Sequence, residues 1–184
     1  MADERDRSLQ EFIDGSERTL SESPGGAVAF DESMLRLPLS VLGSREPILV
    51  EPQVSVLEAI AVMQEARVGC VLVVVGGRLM GIFTERDVLL QVVGRSVDVL
   101  KTPVRRLMTA DPEYLRPTDS IAYALNAMSL GGYRHVPLVD DARRPVGVVS
   151  VRDVINYLVR LFPKSVMNLP TMPRQNYARS REGA

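Results

Sequence analysis

Gly81-Ile82-Phe83-Thr84-Glu85-Arg86-Asp87 and Gly147-Val148-Val149-Ser150-Val151-Arg152-Asp153 are two versions of one segment, 66 positions apart: a glycine, two apolar residues, a hydroxyl residue, two further residues and an aspartate. Upstream of them, Pro38 to Leu72 matches Pro103 to Pro137 at an offset of 65, which aligns Pro38 with Pro103, Pro47 with Pro112, Pro52 with Pro117, Ser55 with Ser120, Ala59 with Ala124 and Met63 with Met128. The one-residue change of offset is explained by an extra residue in the turn Asp140-Asp141-Ala142-Arg143-Arg144. A unit of about 60 residues that cannot bury its apolar face alone packs against its copy, and two related units leave related crevices between them. Function is expected in those crevices.

The chain of 184 residues is 46% hydrophobic and 24% charged, the composition of a globular protein with one good-sized domain or two small ones sharing a core. No apolar run approaches the roughly 20 residues that span a bilayer. The start Met1-Ala2-Asp3-Glu4-Arg5-Asp6 lacks the basic-then-apolar order of a signal peptide, so a cytoplasmic location is expected, with no membrane contact. One cysteine and one histidine support neither a disulfide framework nor a usual zinc site. A net charge of -1 disfavours nucleic acid, which requires clustered Lys and Arg. The charge is uneven: residues 1–36 hold nine acids against four arginines, and residues 164–184 hold four bases against Glu182. Solvated tails are the reading that fits.

Four regions follow: a polar, acidic extension over 1–37, repeat one over 38–100, repeat two over 101–163, and a basic, irregular tail over 164–184. The extension carries at most a short helix near Leu9 to Leu20, ahead of the breaker Ser21-Glu22-Ser23-Pro24-Gly25-Gly26. In repeat one, Ile48-Leu49-Val50 is a short extended piece, and Ser55-Val56-Leu57-Glu58 is a capping box opening a helix with the apolar face Val56, Ala59, Ile60 and Met63. Val71 to Val75 and Leu79 to Phe83 are strands joined by a tight turn at Gly76-Gly77. A second helix runs from about Thr84 to Val93 and stops at Gly94. Repeat two keeps this order, with a helix from Ser120 bearing Ile121, Ala124, Leu125 and Met128, strands at Val136 to Val139 and Pro145 to Val149, and a last helix from Ser150 until Pro163 breaks it. The fold class is mixed α/β, of the α+β kind: two related units, each a small sheet with two helices.

Thr84-Glu85-Arg86-Asp87 and Ser150-Val151-Arg152-Asp153 are ordinary helix caps by themselves, since a hydroxyl at the N-cap and an acid three residues on satisfy free amides. The same geometry suits a ligand. A helix N-terminus favours an anion, the hydroxyl binds phosphate, and the carboxylate takes two hydroxyls of a ribose. The equivalent placement of both boxes in a repeat tips the balance toward a ligand.

These residues resemble the cystathionine beta-synthase (CBS) domain, whose repeats end in a glycine, an apolar strand, Thr or Ser, two residues and Asp. Its middle strand begins with a Gly-Tyr-Arg-His-apolar-Pro-like run, which Gly132-Tyr133-Arg134-His135-Val136-Pro137 matches closely; in repeat one Leu72 stands at the usual proline. The resemblance covers about Pro38 to Phe162. It implies a stand-alone two-repeat Bateman module with pseudo-twofold symmetry and two clefts for adenosine-containing ligands such as AMP, ADP, ATP or S-adenosylmethionine, the nucleotide being a regulatory ligand, alone or with magnesium, rather than a cofactor. By position, one cleft would use Val148, Ser150 and Asp153 with Arg134 and His135, walled by Val68 and the segment near Ser40 and Arg45. The other would use Ile82, Thr84 and Asp87 with Gly69 and Cys70, walled by Tyr133 and the segment near Arg105 and Ala110. With a cation at Arg134 and none at Gly69, the Asp153 cleft is expected to read phosphate. The resemblance also implies helices that pair two modules into a flat homodimeric disc, consistent with the many apolar positions of the helices from Thr84 and Ser150.

Three functions compete. An adenine-nucleotide sensor that signals to a regulated protein leads; a ligand-free dimerisation scaffold is the alternative. A nucleotide-processing enzyme ranks last, because the sequence has no paired catalytic acids, no metal cluster and no triad around His135, and Cys70 reads as core packing.

Overall fold

A computed structural model of the chain describes residues 32–43 and 45–161, so the expected helix near Leu9 to Leu20 and the tail after Pro163 lie outside the described residues. The chain divides into two compact units, Asp31–Val154 and a second whose described residues are Ile155–Leu161. Among the described residues, all the strands lie in the first unit. No helix among the described residues is long and apolar enough to cross a membrane.

Repeat one contributes strand β1 (Leu49–Val50), helix α1 (Val56–Ala66), strands β2 (Cys70–Val75) and β3 (Arg78–Thr84), and the single α-turn α2 (Glu85–Asp87). Ser55 accepts the Glu58 amide while Glu58 accepts the Ser55 amide, the reciprocal cap that starts α1. Between β2 and β3, Gly76 and Gly77 both hold positive φ, as a two-residue turn matched to strand twist requires. Repeat two opens with strand β4 (Thr109–Ala110), then helix α3 (Ile121–Gly131), strands β5 (His135–Val139) and β6 (Pro145–Ser150), and helix α4 (Val151–Leu161). The turn at 140–144 is organised by Asp140, whose carboxylate accepts the amides of Ala142 and Arg144 and the Arg144 side chain.

The repeats interlock through their first segments. β4 of repeat two leaves its own sheet and pairs antiparallel with β3, completing the order β1-β2-β3-β4; Arg45 of repeat one bridges Val148 of β6 in the same manner. Backbone bonds repeat at the sequence offset: Leu39 donates to the Asp119 carbonyl as Val104 donates to Val54, both at 2.8 Å, and Ile121 donates to Leu37 as Val56 donates to Thr102. This is the expected pseudo-twofold symmetry. One difference has a covalent cause. Leu72 donates its N–H to Ile48, whereas its counterpart Pro137 has no N–H, so the outer pairing of repeat two shrinks to the bridge Leu115–Leu138.

β2 is apolar at every position because both of its faces are covered. Val71 and Val73, with Phe83, join Val50, Val56, Ala59, Met63 and Val104 in one core; Cys70 and Leu72, with Leu79 and Ile82, meet Val139 and Val148 in the other. The helix expected to run to Val93 is instead one α-turn followed by a π-helical segment, Val88–Val92, closed by a bond from the Val93 N–H to the Val88 carbonyl. Val88 and Val92 turn inward to the first core, while Leu89, Leu90 and Val93 are about 60% exposed.

Candidate functional site

The two boxes open onto two clefts within the Asp31–Val154 unit. At the first, the Asp153 carboxylate accepts the Ser150 amide at 2.8 Å and its hydroxyl at 2.6 Å, both through Oδ2, and the Asp153 amide donates to Ser150 Oγ. Among the described residues no donor engages Asp153 Oδ1, so an ionised carboxylate has acceptor capacity to spare for hydroxyls. The adjoining cleft of about 230 Å³ is lined by Ser150, Asp153, Val148, Val68, Arg134 and His135, together with Arg45, Arg67, Arg152, Glu46 and Glu85. Four arginines face three acids, and among the described residues none of the four is in an ion pair. An anion is the species this wall suits.

The second cleft, about 290 Å³, is lined by Ile82, Thr84, Asp87 and Tyr133, with Thr109, Pro112, Glu113, Glu85, Arg86, Arg134 and His135. Asp87 Oδ2 accepts the Thr84 amide at 2.8 Å and hydroxyl at 2.7 Å, as in the other box. Its Oδ1, however, already accepts the Gln91 amide at 3.2 Å, and the same amide donates to the Leu107 carbonyl at 2.8 Å. Arg86 Nη1 donates to the Gly132 carbonyl at 2.5 Å, and Tyr133 donates its hydroxyl to Glu113. Burial, with Glu113 beside it, pushes the Tyr133 phenol up to about 12. Here two arginines face three acids, and one of the two is spent on a carbonyl.

Gly69, Glu85, Arg134 and His135 line both clefts and form the wall between them. A Cβ on Gly69 would come within 2.9 Å of the His135 ring, so glycine is what lets the ring pack there. Burial, and then the Arg134 cation, hold His135 below its ordinary value, against the opposing pull of Glu85 and Asp153. Both effects favour the neutral imidazole. Cys70 is pushed up to about 12 by burial and by Glu85, which leaves a thiol and not a nucleophilic thiolate.

The structure therefore brings Val148, Ser150, Asp153, Arg134, His135 and Val68 to one cleft and Ile82, Thr84, Asp87 and Tyr133 to the other. Ala110 pairs with Gly81 in the sheet, and its neighbours Thr109 and Pro112 supply the lining. Cys70 lies on the Asp153 side rather than the Asp87 side, and Arg134 and His135 border both clefts rather than one. Sequence reasoning passed over Arg67, Arg152, Glu113 and Gln91. Arg152 alone carried a signal, as the repeat partner of Arg86.

The family model for the CBS domain matches residues 40–94 and 104–160. A 17.7 kDa protein of Acidianus ambivalens is 30% identical over 122 residues, covering 66% of this chain and 73% of its own. Two larger relatives are covered over only 15% and 30% of their lengths. Among solved structures, a CBS domain protein from Pyrobaculum aerophilum complexed with AMP is 26% identical with a TM-score of 0.61, covering 69% of this chain and 99% of that one. The CBS domain pair of protein MJ0100, in complex with 5′-methylthioadenosine and S-adenosyl-L-methionine, is 25% identical with a TM-score of 0.58, covering 66% and 98%.

Proposed function

We propose that this chain, which belongs to the CBS domain family, is a regulatory module that binds adenine nucleotides in its two clefts and conveys their occupancy to a partner protein in the cytoplasm. The observation that carries the proposal is the repeated carboxylate: each cleft presents an aspartate held through one oxygen by its own cap, with the other oxygen without a donor among the described residues at Asp153 and shared with Gln91 at Asp87. The ligands present in solved relatives support the adenosine class. The arginine-rich wall supports the Asp153 cleft as the one that takes phosphate. CBS domain pairs are generally regulatory rather than catalytic, and the protonated Cys70 accords with that. A thermal-shift series with AMP, ADP, ATP, adenosine and S-adenosylmethionine is the test. A ligand at 100 times its Kd stabilises by about 2.7 kcal/mol and should raise Tm by roughly 5–10 °C in a chain of this size. If none of these ligands moves Tm, the ligand-free scaffold takes the place of the sensor.

The output includes a homodimer in this proposal. Leu89, Leu90 and Val93 stand exposed on the segment after Asp87. Fully covering one such leucine contributes about 1.5–3 kcal/mol, and a twofold contact counts each residue twice. Light scattering at micromolar concentration should give a dimer for the native chain and a monomer for Leu89→Glu combined with Leu90→Glu. A monomeric native chain would remove dimerisation from the mechanism.

A further inference from the structure

The wall between the clefts is unsymmetrical in charge. Gly69 and Arg134 occupy equivalent positions of the two repeats, and both line both clefts, so one arginine borders two cavities. The His135 ring packs so close to Gly69 that not even a methyl group fits between them. The cavities depend on Arg134 unequally. The Asp153 cleft has Arg45, Arg67 and Arg152 besides, whereas in the Asp87 cleft the other cation, Arg86, is committed to the Gly132 carbonyl and faces Glu85, Asp87 and Glu113. A phosphate in the Asp87 cleft thus has Arg134 as its available charge partner.

We infer that Arg134 is a shared specificity-determining residue that makes the pair of clefts favour one phosphate-bearing ligand over two. A nucleotide seated at Asp153 recruits the guanidinium, leaves the acids of the Asp87 cleft uncompensated, and reserves that cleft for a nucleoside without phosphate. A bidentate arginine–phosphate contact uses two of the guanidinium's five N–H donors, and the phosphate so held already neutralises the single positive charge that a phosphate in the other cleft would need. The two clefts then report a pair of ligand classes, phosphorylated and unphosphorylated, rather than two copies of one.

This inference rests on the nucleotide-binding function proposed above, and calorimetry on the full chain with AMP and adenosine separates the two. In the native chain the second AMP should bind about tenfold or more weakly than the first, while adenosine should still bind one site of the chain whose first cleft holds AMP. Asp153→Ala, which empties the first cleft, should free Arg134, so that AMP enters the Asp87 cleft about tenfold more tightly than the second AMP of the native chain. Adding Arg134→Ala should cancel that gain, and a cooperative thermal melt of each variant shows that it is folded. Two AMP molecules of equal affinity, or a second site equally weak with and without Asp153, would overturn the shared role of Arg134 alone. No heat from either ligand would overturn the nucleotide-binding function and this inference together.

Discussion

Phe83→Ala is expected to cost about 3–5 kcal/mol of unfolding free energy, the range for deleting a buried aromatic ring. Phe83 is fully buried on β3 opposite Val71, and it packs with Val56, Ala59 and Met63 of repeat one and with Val104 of repeat two. The site collapses poorly. It is surrounded by side chains of α1, β1 and β2 and by Val104, in an interior packed too densely to close over the lost ring. Chemical denaturation should show a lower midpoint with an unchanged slope, and Tm should fall by roughly 10 °C. Val75→Ala, on the exposed end of β2, is the control and should stay within about 0.5 kcal/mol. A loss below about 1 kcal/mol at Phe83 would mean that this core does not join the repeats.

Asp153→Ala should weaken AMP binding about a hundredfold or more at the first cleft. In the proposed function the carboxylate would offer Oδ1 to a ribose diol, and each hydrogen bond to a charged group contributes about 1.5–3 kcal/mol. It also anchors Ser150, so the variant should lose roughly 0.5–2 kcal/mol of stability through the cap. The matching Asp87→Ala change should cost less affinity, because Gln91 already occupies part of that carboxylate. Calorimetry on both single variants and the double variant provides the measurement. Unchanged affinity in the double variant would remove the ribose role from both aspartates.

The capping boxes were legible because each is a contact across three residues, a distance over which the backbone itself sets the geometry. The strands were legible for a similar reason: the run from Val71 to Val75 is apolar at each step, and two consecutive glycines close the hairpin. The π-helical segment was not. Val88 to Val93 has the composition of an α-helix, and the extra residue per turn belongs with contacts the pattern does not display: Gln91 reaching both Asp87 and Leu107, with Val88 and Val92 drawn onto the core.

By itself the sequence determined the duplication, the order of elements in each repeat, the caps and the two aspartates, since all of these follow from local propensity or from comparing one half of the chain with the other. Tertiary structure alone decided the exchange of first segments that places Thr109 and Ala110 on β3, and the long-range commitments of charge: Arg86 to a carbonyl 46 residues away, and Arg134 to a wall that two cavities share. Sequence separation carries no information about which side chains meet across a crevice. At Gly69 the missing side chain lets the His135 ring of the other repeat fill the wall, a consequence of packing that neither repeat contains alone.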